Sequence, residues 1–432
     1  MYYYWRIMKK FILLIFIIFS PVVFSQKDNT PWHSSNLAIQ AYNHKDYSEF
    51  LKNMKLAYKL SDKHQTYIYN LSIAYLLNNK KEEAFKLLKE GLSFGYIYPL
   101  EEDKDFDAVK SMIEFREILR LNQDNKKEKV ISRTIAILPG KQVIAEGLAY
   151  DSDDSTFFVS SVYKNVFYNV DRRENILWSS GDSQYGSISG LLLDKKNNNL
   201  WCTFVQQPQS EYFIESADGT SGILCYNLKT KKILHKVSVG KDSLGKHWFG
   251  DLTMDSKGNI YTTDSYAGNI YKFSTPDYEP KIIRSNLQFR SLQGLTFTKN
   301  FQYLIFADYS NGLFRYDPLT SEIIKIKNLA NNTLLGIDGI YYYKNNKVIA
   351  VQNGTNPRRI VEISFDENFL KATRFRILEV NNPDFDDITL GTINGNDFYF
   401  IANSQWYKFD KKGKIFPEEK FNNILIKRIR LE

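Results

Sequence analysis

The spacing of apolar residues changes once along the 432-residue chain. Through residues 36–120, apolar side chains recur at three- and four-residue steps, as in YIYNLSIAYLLNNKKEEAFKLLKEGLSFG, which predicts amphipathic helices. Further on, short apolar runs are separated by Gly, Asn and Asp, a pattern that predicts strands joined by turns. The polar stretch NQDNKKEKVISRT lies between the two regions. We therefore expect a helical domain over residues 26–120, a linker over 121–133 and a strand-rich domain over 134–432.

The predicted helices form a repeat. Tyr42 and Tyr75 are 33 residues apart, Ala57 and Gly91 are 34 residues apart, and a short polar turn separates the two helices of each copy. This period and layout resemble the tetratricopeptide repeat, and the resemblance implies a helical segment able to bind a protein partner. Two repeats with a capping helix are few for a free-standing array, so we expect the helices to pack on the second domain.

The strand-rich region contains a repeated unit that begins at a glycine, as in EGLAYDSDDSTFFVSSVYKNVFYNVD and QGLTFTKNFQYLIFADYSNGLFRYD. A single sheet of this kind has two apolar faces and cannot bury both, whereas radial stacking covers each face with a neighbouring sheet. Six units of roughly 45 residues predict a mainly β fold, a six-bladed β-propeller preceded by the small helical domain. The units are marked by six anchor glycines: Gly147, Gly190, Gly250, Gly294, Gly339 and Gly391.

The first residues have the composition of a signal peptide. MYYYWRIMKK supplies positive charge, FILLIFIIF is a short apolar run, and SPVVFS supplies small residues before Gln26. We predict a signal peptide over residues 1–25 and export to the periplasm or the outside of the cell. The apolar run is short for a membrane span, so we expect no integral span after cleavage. The alternative is an N-terminal anchor that is not cleaved.

Charge and cysteine content narrow the classes of partner. The formal net charge is +8, from 57 Lys and Arg against 49 Asp and Glu, and basic and acidic residues are interspersed. This pattern indicates a solvated surface and no nucleic-acid partner.

The two cysteines, Cys202 and Cys225, lie in one strand-rich segment. Export permits a disulfide between them, and the alternative is two buried thiols that behave as small apolar residues.

The residues next to the anchor glycines are candidates for chemistry, because the first strand of each propeller blade lines the central channel. Glu146 and Asp338 directly precede anchor glycines, and so does Gln293. Two carboxylates and an amide carbonyl would make an all-oxygen site of the kind that calcium prefers. The alternative is that Glu146 pairs with a Lys or with backbone amides and Asp338 caps a turn.

Other polar groups near the predicted channel could take part in a reaction. Asp251 directly follows Gly250, and His247 precedes that glycine by three residues and could act as a base. The alternative for His247 is a packed, hydrogen-bonded side chain next to two aromatic residues. The stretch NSQW at 403–406 could form a pocket wall, or it could belong to a strand that closes a blade.

The strand-rich domain resembles the regucalcin/gluconolactonase group, which contains calcium-dependent lactonases with six blades. The resemblance lies in EGLAYD, in QGLTFTKNFQYLIFADYSNGLFRYD and in IDGIYYY followed by NKVIAV. It implies a metal held by Glu146 and Asp338, which match the group's Glu and Asp. At two further ligand positions the chain departs from the group, because Gln293 replaces an Asn and Gly250 stands where an Asn is usual.

Two functions follow from these patterns. The first is an exported lactonase-like hydrolase in which a divalent metal, expected to be Ca²⁺, lies between Glu146, Asp338 and Gln293. There Asp251 or His247 would handle water or the hydroxyl groups of a small-molecule substrate. The second is a non-catalytic scaffold that combines helical repeats with a propeller and binds a protein partner.

Overall fold

The computed structural model describes residues 30–140, 142–181, 184–283, 285, 287–410 and 413–432. The predicted signal peptide lies outside these ranges. In the described part, five α-helices precede the strands, and none of the helices is long and apolar enough to cross a membrane. The helices are α1 (Pro31–Asn43), α2 (Tyr47–Leu60), α3 (Gln65–Leu77), α4 (Lys81–Ser93) and α5 (Ile113–Asn125).

The five helices share one apolar core. Each helix packs on the next along the chain, and small residues lie where helices approach closely. Ala57 is fully buried, and a Cβ added at Gly91 would lie 2.2 Å from the Tyr98 hydroxyl. Asp46 caps α2 by accepting a hydrogen bond from the backbone N–H of Glu49. The polar turns of the sequence therefore begin helices, and the apolar stripes face one another.

The strands form six sheets arranged as a six-bladed β-propeller, and the fold is mainly β. Four blades follow the chain strand by strand from the innermost strand outward. Blade one contains β2 (Ala145–Asp151), β3 (Thr156–Ser161), β4 (Val166–Val170) and β5 (Ile176–Ser179); blade two contains β6 (Ser187–Asp194), β7 (Asn199–Val205), β8 (Ser221–Asn227) and β9 (Lys232–Val239). Blade three contains β10 (Phe249–Met254), β11 (Ile260–Asp264), β12 (Asn269–Ser274) and β13 (Glu279–Ile283); blade four contains β14 (Leu292–Phe297), β15 (Leu304–Asp308), β16 (Gly312–Asp317) and β17 (Glu322–Lys325).

The last two blades depart from this simple order. Blade five has the order β19 (Ile340–Tyr343), β20 (Lys347–Gln352), β21 (Arg359–Phe365) and β22 (Lys371–Val380), with the short β18 (Lys327–Asn328) parallel to β22 at its edge. Blade six has the order β23 (Gly391–Asn394), β24 (Asp397–Ile401), β25 (Ile424–Arg430) and β1 (Arg133–Leu138). Because β1 comes from the start of the propeller, pairing with β25 closes the ring.

The innermost strands contact one another in ring order around the axis, so blade three lies opposite blade six. We call this axial region the hub, and we call the face on which the chain enters the innermost strands the upper face. The anchor glycines allow the close approach at the hub. A Cβ at Gly147 would lie 2.2 Å from the Ser189 carbonyl oxygen, and one at Gly294 would lie 2.4 Å from that of Asp338.

A hydroxyl group links neighbouring blades beside the anchor glycines. The Ser160 hydroxyl accepts from the Gly147 N–H at 2.7 Å and donates to the Ser189 carbonyl of the next blade at 2.6 Å. Thr203 makes the equivalent pair of bonds to the Gly190 N–H and the Gly250 carbonyl, both at 2.8 Å. These bonds satisfy backbone groups that the irregular pairing at the start of each blade leaves over.

The helical segment docks on blade five through a buried guanidinium, as expected for a short helical array. Arg359 is fully buried and donates to the Phe94 carbonyl at 2.6 Å, to the Asn332 side-chain oxygen at 2.9 Å and to the Gln352 side-chain oxygen at 2.6 Å. The segment after α5 is also fixed, because buried Glu379 accepts from the backbone N–H groups of Ile131 and Ser132. Helices and propeller are therefore joined by a polar, fully buried contact.

Cys202 and Cys225 are free, buried thiols. In the register of β7 and β8, Cys202 pairs with Leu224 and Cys225 pairs with Trp201, so the two side chains point to opposite faces of blade two. They belong to different apolar clusters, one on each side of the sheet. Of the two alternatives for these residues, the structure has the pair of buried thiols.

Candidate functional site

The candidate site lies at the hub on the upper face, where carboxylates from several blades converge. Glu146 belongs to β2, Asp251 to β10, and Asp338 comes two residues before β19. Asp387, in the segment that leads into β23, is close enough for its charge to act on Glu146 and Asp338. We call these four residues the carboxylate cluster. Sequence reasoning identified the first three by their offset from the anchor glycines and missed Asp387, which lies four residues before its glycine.

Glu146 is held by a tryptophan. One of its carboxylate oxygens, Oε2, accepts from the indole N–H of Trp406 at 2.6 Å. Burial raises the pKa of Glu146 well above its ordinary value, and the negative charge of Asp338 raises it further. The Trp406 bond opposes this rise in part. Glu146 and Asp338 therefore lie within electrostatic range of each other at the hub.

Asp338 lies at the end of a short hydrogen-bonded chain. Its Oδ2 accepts from the Asn353 amide at 2.7 Å, and the Asn353 Oδ1 accepts from the Tyr309 hydroxyl at 3.0 Å. Burial raises the pKa of Asp338 above its ordinary value, and the nearby charge of Asp387 adds to the effect. Asn353 is thus the amide in contact with Asp338.

The other two carboxylates are buried as well. Burial raises the pKa of Asp251 to about 7, although its carboxylate accepts from the backbone N–H groups of Leu252, at 2.8 Å, and of Leu295. Burial raises the pKa of Asp387 to about 6, against the opposing charge of Arg358 at 3.6 Å. Among the described residues, Arg358 is the cation within ion-pair distance of the carboxylate cluster.

Tyr341 lies among these carboxylates. Its hydroxyl oxygen accepts from the Gly391 N–H at 2.6 Å, which connects blade five to blade six. Burial raises the pKa of Tyr341 well above its ordinary value, and the charges of Asp251, Asp338 and Glu146 add to the rise. The phenol therefore stays protonated at neutral pH and has a proton to donate. Nothing in the sequence pattern marks it, because its role depends on the approach of two blades.

Gln293 is close to Asp338 in the fold, and its amide nitrogen is bonded to a neighbouring residue. The N–H of Gly294, the next residue, donates to the Asp338 carbonyl at 2.7 Å. The Gln293 amide nitrogen donates to the hydroxyl of Ser291, which directly precedes β14, at 3.0 Å. In the part of the chain that the structure describes, no group of three or more His, Cys, Asp and Glu side chains is arranged to hold a metal ion.

His247 is buried and paired with acidic groups outside the carboxylate cluster. Its Nδ1 lies 2.6 Å from Asp264 Oδ2, and its Nε2 lies 3.4 Å from Asp242. Burial by itself lowers the pKa of His247, but the hydrogen bond to Asp264 and the two negative charges outweigh it, so the pKa lies above its ordinary value. Asp264 also accepts from the backbone N–H of Trp248, so the pair holds the segment that leads into blade three.

No protein-family model matches the chain, and no curated protein is similar to it. Similar solved structures include a luciferin-regenerating enzyme, at 14% identity over 70% of this chain and 95% of that one, with a TM-score of 0.45. The PQQ-bound form of aldose sugar dehydrogenase from Streptomyces coelicolor is 15% identical over 70% of this chain and 97% of its own, with a TM-score of 0.45. Virginiamycin B lyase from Staphylococcus aureus is 13% identical over 63% and 82% of the two chains, with a TM-score of 0.44. These similarities carry no information about activity, and the class that fold and site define is a six-bladed β-propeller with a carboxylate-lined hub.

Proposed function

We propose that this chain is an exported hydrolase of the gluconolactonase and regucalcin type, which opens a lactone or ester at the hub of the propeller. The observation that carries the proposal is the convergence of Glu146 and Asp338 from blades one and five, with Asp251 from blade three. Carboxylates buried together at neutral pH require a counter-charge or shared protons, because desolvation and mutual repulsion both oppose ionisation.

The chemistry of the carboxylate cluster fits a divalent cation, with Ca²⁺ as the expected ion. Glu146 and Asp338 would hold it with Gln293 as the third ligand, as the sequence predicts, and Asn353 orients Asp338 by donating its amide N–H to Oδ2. When bound, such a cation polarises a substrate carbonyl and favours attack by water. The carboxylates of Glu146 and Asp338 are hard oxygen donors, which is the donor type that this ion prefers.

The chain's own residues account for the proton movements of the reaction. Asp251, with a pKa of about 7, is suited to accept a proton from the attacking water as a carbon–oxygen bond forms at the carbonyl. The same proton can then pass from Asp251 to the ring oxygen as the ester bond breaks, which gives the hydroxy acid and leaves Asp251 ionised again. His247 is engaged by Asp264 and Asp242, so the geometry favours Asp251 over His247 as the base.

The experiment is a hydrolysis assay on a panel of lactones and aryl esters, with and without a chelator and with added Ca²⁺. We expect turnover that the chelator abolishes and Ca²⁺ restores. Glu146→Gln should lose at least about 100-fold in kcat/KM, because a ligand or second carboxylate is removed from the reacting centre. Glu367→Gln, on an exposed turn of blade five, is the matched control and should retain full activity. Turnover that is unchanged in Glu146→Gln would contradict the proposal.

A scaffold function is the second candidate, and exposed apolar side chains on α1 and α2 favour it. Leu37, Leu56 and Leu60 are 37–40% exposed on helices whose buried apolar residues belong to the helical core. A tetratricopeptide-like segment could bind a protein partner there. Pull-down with the full chain and with Leu37→Asp would test this, and capture that is identical for both chains would argue against it.

A further inference from the structure

The loop between β20 and β21 lies on the upper face, because β19 runs away from that face and β20 is antiparallel to it. We call this loop, residues 353–358, the bridging loop. Its first residue, Asn353, donates to the Asp338 carboxylate at 2.7 Å. Its last residue, Arg358, lies 3.6 Å from the Asp387 carboxylate. Two members of the carboxylate cluster are therefore contacted from the two ends of one short loop.

The helical segment holds the middle of the bridging loop at Asn356. Gln65, the first residue of α3, accepts from the Asn356 N–H at 2.7 Å and donates to the Asn356 carbonyl at 2.8 Å. Ile97, which follows α4, donates its N–H to the same carbonyl at 2.8 Å and accepts from the Asn356 side-chain amide at 3.0 Å. The Gln65 amide also donates to the Ile97 carbonyl at 3.1 Å, so the three residues form a closed network.

The bridging loop is packed tightly against the propeller. A Cβ added at Gly354 would lie 2.6 Å from the Gly336 Cα and 2.5 Å from the Tyr309 ring. The Gly354 N–H donates to the Gly336 carbonyl at 3.0 Å, and the Tyr309 hydroxyl donates to Asn353 Oδ1 at 3.0 Å. Close-packed interiors transmit a displacement and do not absorb it. A shift of Asn356 is therefore passed on to Asn353.

We propose that Gln65 is a positioning residue for the carboxylate cluster, and that it acts through the bridging loop on Asp338 and Asp387. Asn353 bonds to Asp338 and also donates to the Ile388 carbonyl, next to Asp387, at 2.9 Å. The coupling of helices and loop stands on these bonds alone, and its effect on cation binding rests on the proposed function. Groups that orient metal-binding side chains typically change the affinity about 10- to 100-fold when they are removed.

Hydrogen exchange measured by mass spectrometry without added cation tests the coupling first. Gln65→Met keeps the length of the side chain and loses its hydrogen bonds to Asn356. We expect exchange at least about threefold faster in the bridging loop and in residues 385–391, because both lose a fixed neighbour. Asn356→Ala loses only the side-chain bond to Ile97, so it should have a smaller effect in the same two segments. Gln40→Met, at an exposed position of α1, is the matched control and should leave exchange unchanged.

Calorimetry with Ca²⁺ distinguishes positioning from a general loss of stability. Gln65→Met should weaken Ca²⁺ binding about tenfold. In the Asn353→Ala background, where the bond to Asp338 is already absent, adding Gln65→Met should change the affinity less than about twofold. Unchanged exchange in residues 385–391, or an equal loss of affinity in both backgrounds, would overturn the inference. If the wild-type chain binds no Ca²⁺, the proposed function fails, and the exchange measurement still decides the inference.

Discussion

Asp251 illustrates how the fold places a functional group at a cost to stability. Its carboxyl is buried at the hub, and burial raises its pKa to about 7 from an ordinary value near 4. Between about pH 4 and pH 7, Asp251 therefore keeps its proton in the folded chain and has lost it in the unfolded chain. A group of this kind contributes stability that is present below the unfolded pKa and is lost as the pH rises through the folded pKa.

Asp251→Asn should therefore stabilise the protein at alkaline pH. We expect the free energy of unfolding to exceed the wild-type value by a few kcal/mol at pH 8 and to be nearly equal at pH 4, since the Asn carries no charge to desolvate. Urea denaturation at the two pH values, without added metal, measures this difference. Asp277→Asn, at an exposed turn of the same blade, should change stability by less than about 0.5 kcal/mol. A destabilised Asp251→Asn at pH 8 would contradict the account.

We expect His247 to contribute to stability and not to catalysis. Its pKa is raised in the folded state, so its pairing with Asp264 contributes stability that is fully present below about pH 6.5 and is lost as the pH rises through the folded pKa. We expect His247→Gln to lose about 1–3 kcal/mol at pH 6 and less at pH 9, with kcat unchanged. Denaturation and kinetics at both pH values test this. His235→Gln, on an exposed strand of blade two, is the control, and a large fall in kcat for His247→Gln alone would restore His247 as the base.

At the scale of single residues, the sequence predicts positions better than contacts. Glu146 and Asp338 could be placed on the upper face because each precedes an anchor glycine. The hydrogen-bond partner of Glu146 could not be predicted, because Trp406 is 260 residues away in the sequence and the fold alone brings the two together. The orientation of the Gln293 side chain likewise depends on its hydrogen bond to Ser291, which residue spacing does not predict.

At the scale of the blade, an anchor glycine and a hydroxyl group thirteen residues later act together to join neighbouring blades. The glycine lets the next blade approach, and the hydroxyl of Ser160 or Thr203 joins the two blades. The sequence revealed the glycines through their repeat and contained the hydroxyls at a constant offset. The role of these hydroxyl groups could not be predicted, because each one bonds to the next blade and that contact exists only when the blades are stacked.

The close approach of the blades predicts that substitutions at two anchor glycines change the free energy of unfolding by different amounts. Gly147→Ala should destabilise the protein by more than about 2 kcal/mol, because the added Cβ would lie 2.2 Å from a backbone oxygen. Gly250→Ala should cost less than about 1 kcal/mol, because its Cβ has room. Urea denaturation of the two variants is the measurement. Equal losses of stability would mean that the hub is packed more evenly than the structure indicates.

At the scale of the whole molecule, the two parts of the chain are joined by Arg359. Its guanidinium has no carboxylate partner in the described residues, and it donates to neutral oxygens from the helices and from blade five. A buried cation of this kind is strongly favoured to keep every hydrogen bond, because each unmet donor is costly. The predicted linker contacts the propeller separately, where the backbone N–H groups of Ile131 and Ser132 donate to Glu379. The sequence could not predict this contact, because the polar composition of the linker is equally typical of solvated chain.

Arg359→Met should loosen the helical segment while the propeller remains folded. We expect a loss of about 3 kcal/mol and faster hydrogen exchange in α3 and α4, since Phe94 and Asn332 lose their donor. Hydrogen exchange measured by mass spectrometry tests this segment by segment. Arg374→Met, exposed on β22, should leave exchange unchanged. Faster exchange throughout the propeller would show that the contact supports more than the helices.

The central claim is that carboxylates from separate blades meet at the hub and together bind a cation. Isothermal calorimetry with Ca²⁺ in two buffers of different ionisation enthalpy tests it most directly, because metal binding to carboxylates with raised pKa values must release protons. We predict one binding site per chain near pH 7, release of about one proton, and loss of both signals in Asp338→Asn and Glu146→Gln. No binding by the wild-type chain, or binding that both variants retain, would contradict the claim.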